Sequence, residues 1–324
     1  MSAAPCLDKS PDKYDDCLAE MDQQLQQHAK EYLREDPELR QQMLDQLRDW
    51  IAKHPHIRQI RTDAIFLLKF LRAKKFNFIN AAKLLERNLA TKVLHREWFG
   101  RLDIEDPVLA ALVDSGYLFP LPERDSKGRT LVFSVTSGMD PTRYTGQQVS
   151  RLHMLTAELC GESNEFQCGG FILVYDFSTI TLAHLNIVSF NDIRLLSKVI
   201  NNSLALRAQE IHFVNTPSAV LTIANFALQL ANEKLRSRIF CHRNWEELHK
   251  KVDKNLLPKE YGGRIPQAEL IESFKSRCKE MRPLLLAYDE MDIEISKDSE
   301  YSAERDEVEL EPGVIGTFRK LQVD

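Results

Sequence analysis

The chain has 324 residues, of which 43% are hydrophobic and 28% are charged, and it contains 12 glycines and 13 prolines. This composition excludes collagen-like, low-complexity and wholly disordered chains. No apolar run approaches the roughly 18 residues that a transmembrane helix needs, and the first residues resemble neither a secretory signal nor a myristoylation site. The six cysteines include no CxxC pair, which predicts reduced thiols and no metal site. We therefore expect a globular cytoplasmic protein that does not cross a membrane.

The net charge of -5 is an average over segments of opposite sign. Residues 53–101 carry twelve basic and three acidic side chains, residues 234–254 carry seven and three, and residues 289–311 carry two and eleven. Such runs are commonly solvated faces, but the two basic segments could also meet an anionic surface. A nucleic acid is not the expected partner, because the chain lacks zinc-finger and RNA-binding signatures and has few aromatic residues among these cations.

In chain order, apolar residues at three- and four-residue spacings predict two helices in the first fifty residues, separated near Asp36-Pro37. Thr62-Asp63 predicts the start of another helix, and the helical pattern continues to about Trp98. After about residue 110, short β-branched and aromatic runs alternate with helical stretches. The predicted strands are Leu131–Val135, Phe171–Phe177, Ile211–Val214 and Ile239–Cys241. The predicted helices are Gln147–Leu159, Ile187–Ser203, Pro217–Leu235, Trp245–Val252 and Gln267–Met281.

Connections of this length suit parallel crossovers, so the pattern predicts a mixed α/β protein. We expect an all-helical domain at residues 1–101, an α/β domain with a mostly parallel sheet at residues 102–285, and an acidic tail at residues 286–324. The helix Pro217–Leu235 is apolar on every side. It is either buried on all sides or able to lie against a bilayer, since the basic residues Lys234, Arg236 and Arg238 follow its apolar part.

Enzyme signatures are absent from the chain: it has no GxGxxG after a strand, no GxxxxGK[ST], no GxSxG and no HExxH. The candidate acid–base groups are His153, His212 and His242, with Glu158, Asp176 and Asp192 as carboxylates. Their spacing gives neither a catalytic triad nor a metal-ligand pattern. We expect no catalytic residue, no cofactor and no metal.

The segment Phe66–Phe76, FLLKFLRAKKF, resembles the N-terminal signature of the CRAL-TRIO lipid-binding family. The resemblance continues through Gly170–Asp176, Glu210–Asn215, Glu233–Ile239 and Leu256–Gly263, and it spans roughly residues 15–285. Within the family, the chain resembles the group of the α-tocopherol transfer protein, clavesin and the cellular retinaldehyde-binding protein. The resemblance implies a carrier without enzymatic activity, in which a bowl-shaped α/β domain holds one hydrophobic molecule and a mobile gate helix, here Ala219–Glu233, closes the cavity.

The resemblance also implies two sets of site residues. The ligand-binding set is His153, Ala157, Tyr175, Val188, Leu196, Val199, Ile200, Leu204, Ile211 and Phe226. The phosphoinositide-binding set is Lys74, Arg207, Gln209, Lys234 and Arg238. Gln209 replaces a cation of the family, a loss that Lys75 and Arg236 could offset. His153 and Ala157 replace hydroxyl residues of the tocopherol carrier, so tocopherol specificity does not transfer directly to this chain.

The leading hypothesis is a monomeric cytosolic protein that carries a retinoid, carotenoid, tocopherol or other terpenoid between membranes. It would associate transiently with phosphoinositide-containing membranes through its basic cleft. The alternative is a vesicle-trafficking adaptor that senses phosphoinositides and has no hydrophobic cargo. An ester hydrolase that uses His212 or His153 is the third hypothesis.

Overall fold

Capping side chains set the starts of the N-terminal helices in the computed structural model, which describes residues 4–9, 21–218, 220 and 228–305. Asp36 accepts a hydrogen bond from the amide of Leu39, with Pro37 in the first helical turn, and Asp63 caps the next long helix in the same way. This part comprises α1 Gln23–His28 continued by a π-helical turn Ala29–Leu33, α2 Pro37–Lys53, β1 Ile57–Gln59, α3 Ala64–Ala73, α4 Phe78–Leu94 and α5 Arg96–Phe99. The predicted break at Asp36-Pro37 and the N-cap at Asp63 are confirmed.

Strands and helices alternate in the rest of the chain, as the sequence predicts. The elements are α6 Pro107–Asp114, β2 Leu118–Arg124, β3 Thr130–Val135, α7 Gly146–Gly161, α8 Asn164–Gly169, β4 Phe171–Asp176, α9 Leu182–Leu185, α10 Phe190–Asn202 and β5 Ala208–Val214. They continue with α11 Glu233–Arg236, β6 Ile239–His242, α12 Trp245–His249, α13 Gln267–Glu280, α14 Arg282–Glu290 and β7 Asp292–Ile293. Single 3₁₀ turns lie at Thr136–Gly138, Lys254–Leu256 and Lys259–Tyr261.

The central sheet has the strand order β2-β3-β4-β5-β6. Strands β3 to β6 are parallel, and β2 is an antiparallel edge strand paired with β3. The expected mixed α/β fold with a mostly parallel sheet is therefore confirmed. On β4, residues alternate between a buried face and a face that is only half buried, which carries Phe171, Leu173 and Tyr175. This second face bounds the candidate site.

The acidic end of the chain packs onto the helical region. Strand β7 pairs with β1, and Tyr288, Met291, Ile293 and Tyr301 are buried in the same apolar cluster as α2, α3 and α4. Residues 286–305, grouped with the tail in the sequence, therefore complete the N-terminal core. The remaining tail, residues 306–324, lies outside the described residues.

The apolar helix predicted at Pro217–Leu235 is interrupted. Residues 228–230 are helical, but Ala231 and Asn232 are not, and the Asn232 side chain caps the separate short helix α11. An asparagine side chain that accepts from the amide of Leu235 favours a new helix start over a continuous helix. Most of the expected gate, including Phe226, falls outside the described residues. No helix in the described ranges is long and apolar enough to cross a bilayer.

Candidate functional site

A cavity of about 390 Å³ lies between the half-buried face of β4, helix α7 and the end of α10. Its walls are mostly apolar, and its size is that of a site for a small hydrophobic molecule. Its apolar and weakly polar lining comprises Ala73, Leu84, Leu118, Val132, Met154, Thr156, Ala157, Phe166, Phe171, Leu173, Tyr175, Ile200, Leu204, Leu206, Ala208, Ile211 and Leu235, with His153 among them. The more strongly polar lining comprises Lys74, Asn201, Asn232, Lys234 and Arg238.

The cavity brings together six of the ten residues predicted to bind the ligand: His153, Ala157, Tyr175, Ile200, Leu204 and Ile211. Three others are not among the lining residues that the structure describes. Val199 is buried, and Leu196 is half buried against the same core. Val188 follows Ile187, whose carbonyl accepts a hydrogen bond from the first amide of α7. The tenth residue, Phe226, lies outside the described residues.

Two polar side chains meet at one end of the cavity, which we call the His–Tyr end and define by His153 and Tyr175. The imidazole Nε2 of His153 lies 3.1 Å from the Tyr175 hydroxyl, and its Nδ1 lies 3.0 Å from the carbonyl oxygen of Val149. Burial lowers the pKa of His153 and raises that of Tyr175, so both are neutral at physiological pH. The Tyr175 ring stacks on Phe213, which fixes its orientation.

A basic groove of about 1140 Å³ adjoins the other end of the cavity. It is lined by Lys75, Arg207, Gln209, Lys234 and Arg238, and the last two also line the cavity. Lys74 lines the cavity but not the groove. All five residues predicted to bind a phosphoinositide are thus brought to the junction between groove and cavity.

Within the described part of the chain, no ion pair involves the cations at this junction, whereas Arg72 and Arg129 elsewhere in the groove pair with Glu35 and Glu210. The guanidinium of Arg207 makes one hydrogen bond among the described residues, to the carbonyl of Gln167 at 3.4 Å, and that of Arg238 donates to the carbonyl of Ala208. Burial, Arg238 and Arg72 lower the pKa of Arg207 to about 10, and burial together with Arg238 lowers that of Lys234. Clustered cations that lower one another's pKa are typical of an anion-binding site.

Backbone geometry places these cations. Lys75 and Phe76 have φ angles of 51° and 57°, a left-handed conformation that costs a non-glycine residue free energy and turns the chain sharply after α3. Gly170 has φ +75°, and a Cβ there would lie 2.4 Å from the carbonyl oxygen of Arg207. Only glycine therefore allows the segment that carries Arg207 to approach the start of β4.

The opposite wall of the groove was not predicted. It is formed by the turn between β2 and β3, which contributes Lys127 and two arginines. These are Arg124, paired with Asp22, and Arg129, paired with Asp125, and both carboxylates also line the groove. The sequence signal was the turn Asp125-Ser126-Lys127-Gly128 between basic residues, but it is informative only once β2 is recognised as a strand. Arg236, a suggested replacement for the missing cation at Gln209, instead donates to the carbonyls of Leu228 and Ala231.

The candidate acid–base residues are engaged elsewhere. His212 is hydrogen-bonded to His242 at 2.8 Å and to Glu210 at 3.1 Å, and no hydrogen bond within the described ranges joins a candidate histidine to one of the candidate carboxylates. Glu158 binds two lysines, as described below. Asp176 accepts from Tyr261 and Asn215, and Asp192 caps α10. Among the described residues, no group of histidines, cysteines and carboxylates could hold a metal ion.

Comparison with known proteins identifies two matching families. Residues 114–263 match the CRAL/TRIO domain, and residues 36–109 match the Pinta-like UBA domain. The chain is 31% identical to Clavesin-1 of Xenopus laevis over 212 residues, which are 65% of this chain and 64% of that protein. It is 31% identical to Clavesin-2 of Mus musculus over the same share of this chain and 65% of that protein.

The match thus spans slightly less than two thirds of the length of these clavesins. Among solved structures, the crystal structure of Sfh5 is similar with a TM-score of 0.48 and 12% identity, over 64% of this chain and 74% of that one. The family match to residues 114–263 covers strands β2 to β6 and most of the cavity and groove. Residues 114–263 therefore form a CRAL/TRIO domain, and through this domain and its clavesin relatives this part of the chain belongs to the CRAL-TRIO family.

Proposed function

We propose that this protein carries one hydrophobic molecule, of the retinoid, carotenoid, tocopherol or related terpenoid class, between membranes and recognises phosphoinositide head groups at the basic groove. The observation that carries the proposal is the junction itself, where an apolar cavity adjoins cations that lack acidic partners in the described ranges. A cavity without such cations would suit a hydrophobic ligand alone. Cations without a cavity would suit an anionic surface alone.

The energetics allow both uptake and release of such a ligand. Burial of a molecule with about twenty carbons gains roughly 0.8 kcal/mol per methylene relative to water, which keeps the ligand bound in the cytosol. Extraction from a bilayer costs most of the same free energy, so exchange with a membrane stays near balance. Lys234 and Arg238 line both the cavity and the groove. A phosphoinositide bound to them would favour the conformation of the protein that binds it better, and membrane contact would in this way affect the cavity.

The test of head-group recognition is the triple charge reversal Lys74→Glu, Lys234→Glu and Arg238→Glu. Since each cation contributes roughly 1 kcal/mol near an anionic membrane, the variant should bind phosphoinositide vesicles at least about a hundredfold more weakly. A fluorescent retinoid should still bind in solution, but its transfer to those vesicles should fall. The matched control reverses the exposed residues Lys53, Lys250 and Lys259, which changes the net charge equally. Equal transfer by both variants would refute phosphoinositide recognition at the groove.

The test of cargo is native mass spectrometry of the protein purified from its own source, followed by solvent extraction. A stoichiometric hydrophobic molecule is expected. A reproducibly empty cavity would refute the carrier and support the adaptor, which would still bind phosphoinositide vesicles.

A further inference from the structure

Among the described residues that line the cavity, those at the His–Tyr end present hydrogen-bond acceptors and no free donor. The hydroxyl residues Tyr117 and Ser134 lie beside His153 and Tyr175, but neither lines the cavity. The carbonyl oxygen of Val149 can only accept, so the Nδ1 atom of His153 carries the proton that joins them. The Nε2 atom of the neutral ring then has a lone pair and accepts from the Tyr175 hydroxyl at 3.1 Å. The Tyr175 proton is therefore directed at His153, and its oxygen keeps a lone pair for another donor.

The hydroxyl of Thr156, close to His153 on the same helix, also offers a ligand only an acceptor. Thr156, one turn after His153 on α7, donates to the carbonyl of Leu152 at 2.9 Å, so its proton is also used within the protein. The other described residues that line this part of the cavity, such as Val132, Met154 and Leu173, have no polar hydrogen. A hydroxyl group of a ligand could donate to the free lone pair at Tyr175, whereas a carbonyl oxygen would find no free donor among the described residues that line this end.

The basic end of the cavity offers hydrogen-bond donors instead of acceptors. Phe171 lies there, at the start of β4, and its amide donates to the carbonyl of Arg207. Tyr175 is four residues further along the strand, or about 13 Å at 3.3 Å per residue. Donors are abundant at the basic end because Lys74, Lys234 and Arg238 line it. The two ends of the cavity therefore favour different terminal groups of an elongated ligand, a donor at the His–Tyr end and an acceptor at the basic end.

We infer that the His–Tyr end selects a lipid with a terminal hydroxyl group over the same lipid that ends in an aldehyde, with the hydroxyl donating to Tyr175. This inference rests on the proposed function and specifies its ligand as an alcohol or a phenol. A buried acceptor without a donor loses a hydrogen bond, and a carbonyl oxygen placed against another acceptor is repelled, so a preference of about tenfold follows.

The probes are all-trans-retinol and all-trans-retinal, which share one carbon skeleton and differ at the terminal group. Delipidated full-length protein is mixed with both in equal amounts, and native mass spectrometry measures which one is retained. A covalent imine between the aldehyde and a lysine is lighter by one water and is counted separately. The wild-type protein should retain the alcohol about tenfold more than the aldehyde.

Two variants have opposite expected outcomes. His153→Leu removes the acceptor of the tyrosine proton, so Tyr175 can donate to an aldehyde and the preference should disappear or reverse. Tyr175→Phe removes the tyrosine oxygen but exposes the Nε2 lone pair of His153, so the preference for the alcohol should persist. Thermal unfolding of both variants establishes that they fold, and the wild-type ratio stands as a test without them.

Equal retention of the two retinoids by the wild-type protein, or a ratio that His153→Leu leaves unchanged, would overturn the inference and leave the carrier function intact. Retention of neither retinoid would instead overturn the proposed function for this ligand class and, with it, the inference.

Discussion

Replacement of Glu158 by glutamine should destabilise the protein severely, because this carboxylate neutralises two buried lysines. Its oxygens lie 2.8 Å from the Nζ atom of Lys69 and 2.5 Å from that of Lys92, and all three side chains are less than 10% exposed. Lys69 also donates to the hydroxyl of Tyr288 at 3.0 Å. The cluster thereby joins α3 and α4 of the helical region to α7 beneath the cavity and to α14.

The expected loss follows from the charges that the substitution leaves. Burial would raise the pKa of Glu158, but the two lysines hold it well below its usual range, while burial lowers the pKa of Lys92 to about 8. Glu158→Gln leaves two ammonium groups without a counter-charge, and breaking a buried ion pair from one side typically costs 3–5 kcal/mol. Discharge of one lysine from its ordinary pKa of 10.5 at pH 7 would cost about 5 kcal/mol, a similar amount.

The assay is urea unfolding followed by circular dichroism at several pH values. A lysine whose pKa is lower in the folded state binds fewer protons than in the unfolded state, so stability rises with pH between the two pKa values. For the wild-type protein this rise should begin near pH 8, and for Glu158→Gln it should begin at a lower pH.

The matched control is Glu294→Gln, which breaks an exposed ion pair with Arg58 and should leave the unfolding midpoint nearly unchanged. Removal of the whole cluster, by Lys69→Met, Glu158→Leu and Lys92→Met together, should recover much of the stability. A loss below about 1 kcal/mol for Glu158→Gln alone would refute the reasoning.

Two further predictions concern the histidine pair and the C-terminal segment. Burial lowers the pKa of His212 from 6.5 to about 4, so on acidification the unfolded chain takes up a proton at His212 before the folded protein does. The free energy of unfolding should therefore fall by at most about 3 kcal/mol between pH 6.5 and pH 4. Urea unfolding at pH 7 and pH 4.5 should show a smaller fall for His212→Asn than for the wild-type protein. Truncation after Glu290 removes the buried side chains of Met291, Ile293 and Tyr301 from the helical core and should cost at least about 4 kcal/mol in urea unfolding, an expectation that unchanged stability would contradict.

The sequence predicted those elements whose signals are local. Strands β3 to β6 contain β-branched and aromatic runs, and Asp36 and Asp63 mark helix starts by chemistry that acts within four residues. Strand β2 was missed because Pro120 and Pro122 argue against a strand. An antiparallel edge strand tolerates them, since one of its sides needs no ladder hydrogen bonds, and the register shifts between Pro120 and Arg124.

The candidate site was predictable in part for the same reason. Residues on β4 and α7 faced the cavity as expected, because alternation and helical spacing fix which side chains share a face. The apolar face of α10 is divided between core and cavity: Val199 is buried, whereas Ile200 is half exposed and lines the cavity. Periodicity identifies an apolar face but does not say which of two apolar surroundings a residue meets.

Ion pairs between residues far apart in the sequence also change the interpretation of the charged segments. The basic segment at residues 53–101 is largely neutralised in the fold: Arg61 pairs with Glu162, and Arg72 pairs with Glu35 at 2.7 Å. The acidic segment neutralises other cations: Glu294 pairs with Arg58 of β1, and Glu304 contacts both His95 and Lys198 of α10. Residues 289–305 do not line the basic groove.

For the proposed membrane contact, a protein with net charge -5 is repelled as a whole by an anionic membrane, so the position of the junction cations, which lack acidic partners in the described ranges, would decide how it binds one. At physiological ionic strength, exposed charges more than about 8 Å apart are largely screened from each other. Attraction at the basic groove therefore acts only after the groove faces the membrane, and the acidic remainder of the surface disfavours other orientations. Because Lys234 and Arg238 line both spaces, the orientation that brings the groove to the head groups also brings the cavity to the bilayer.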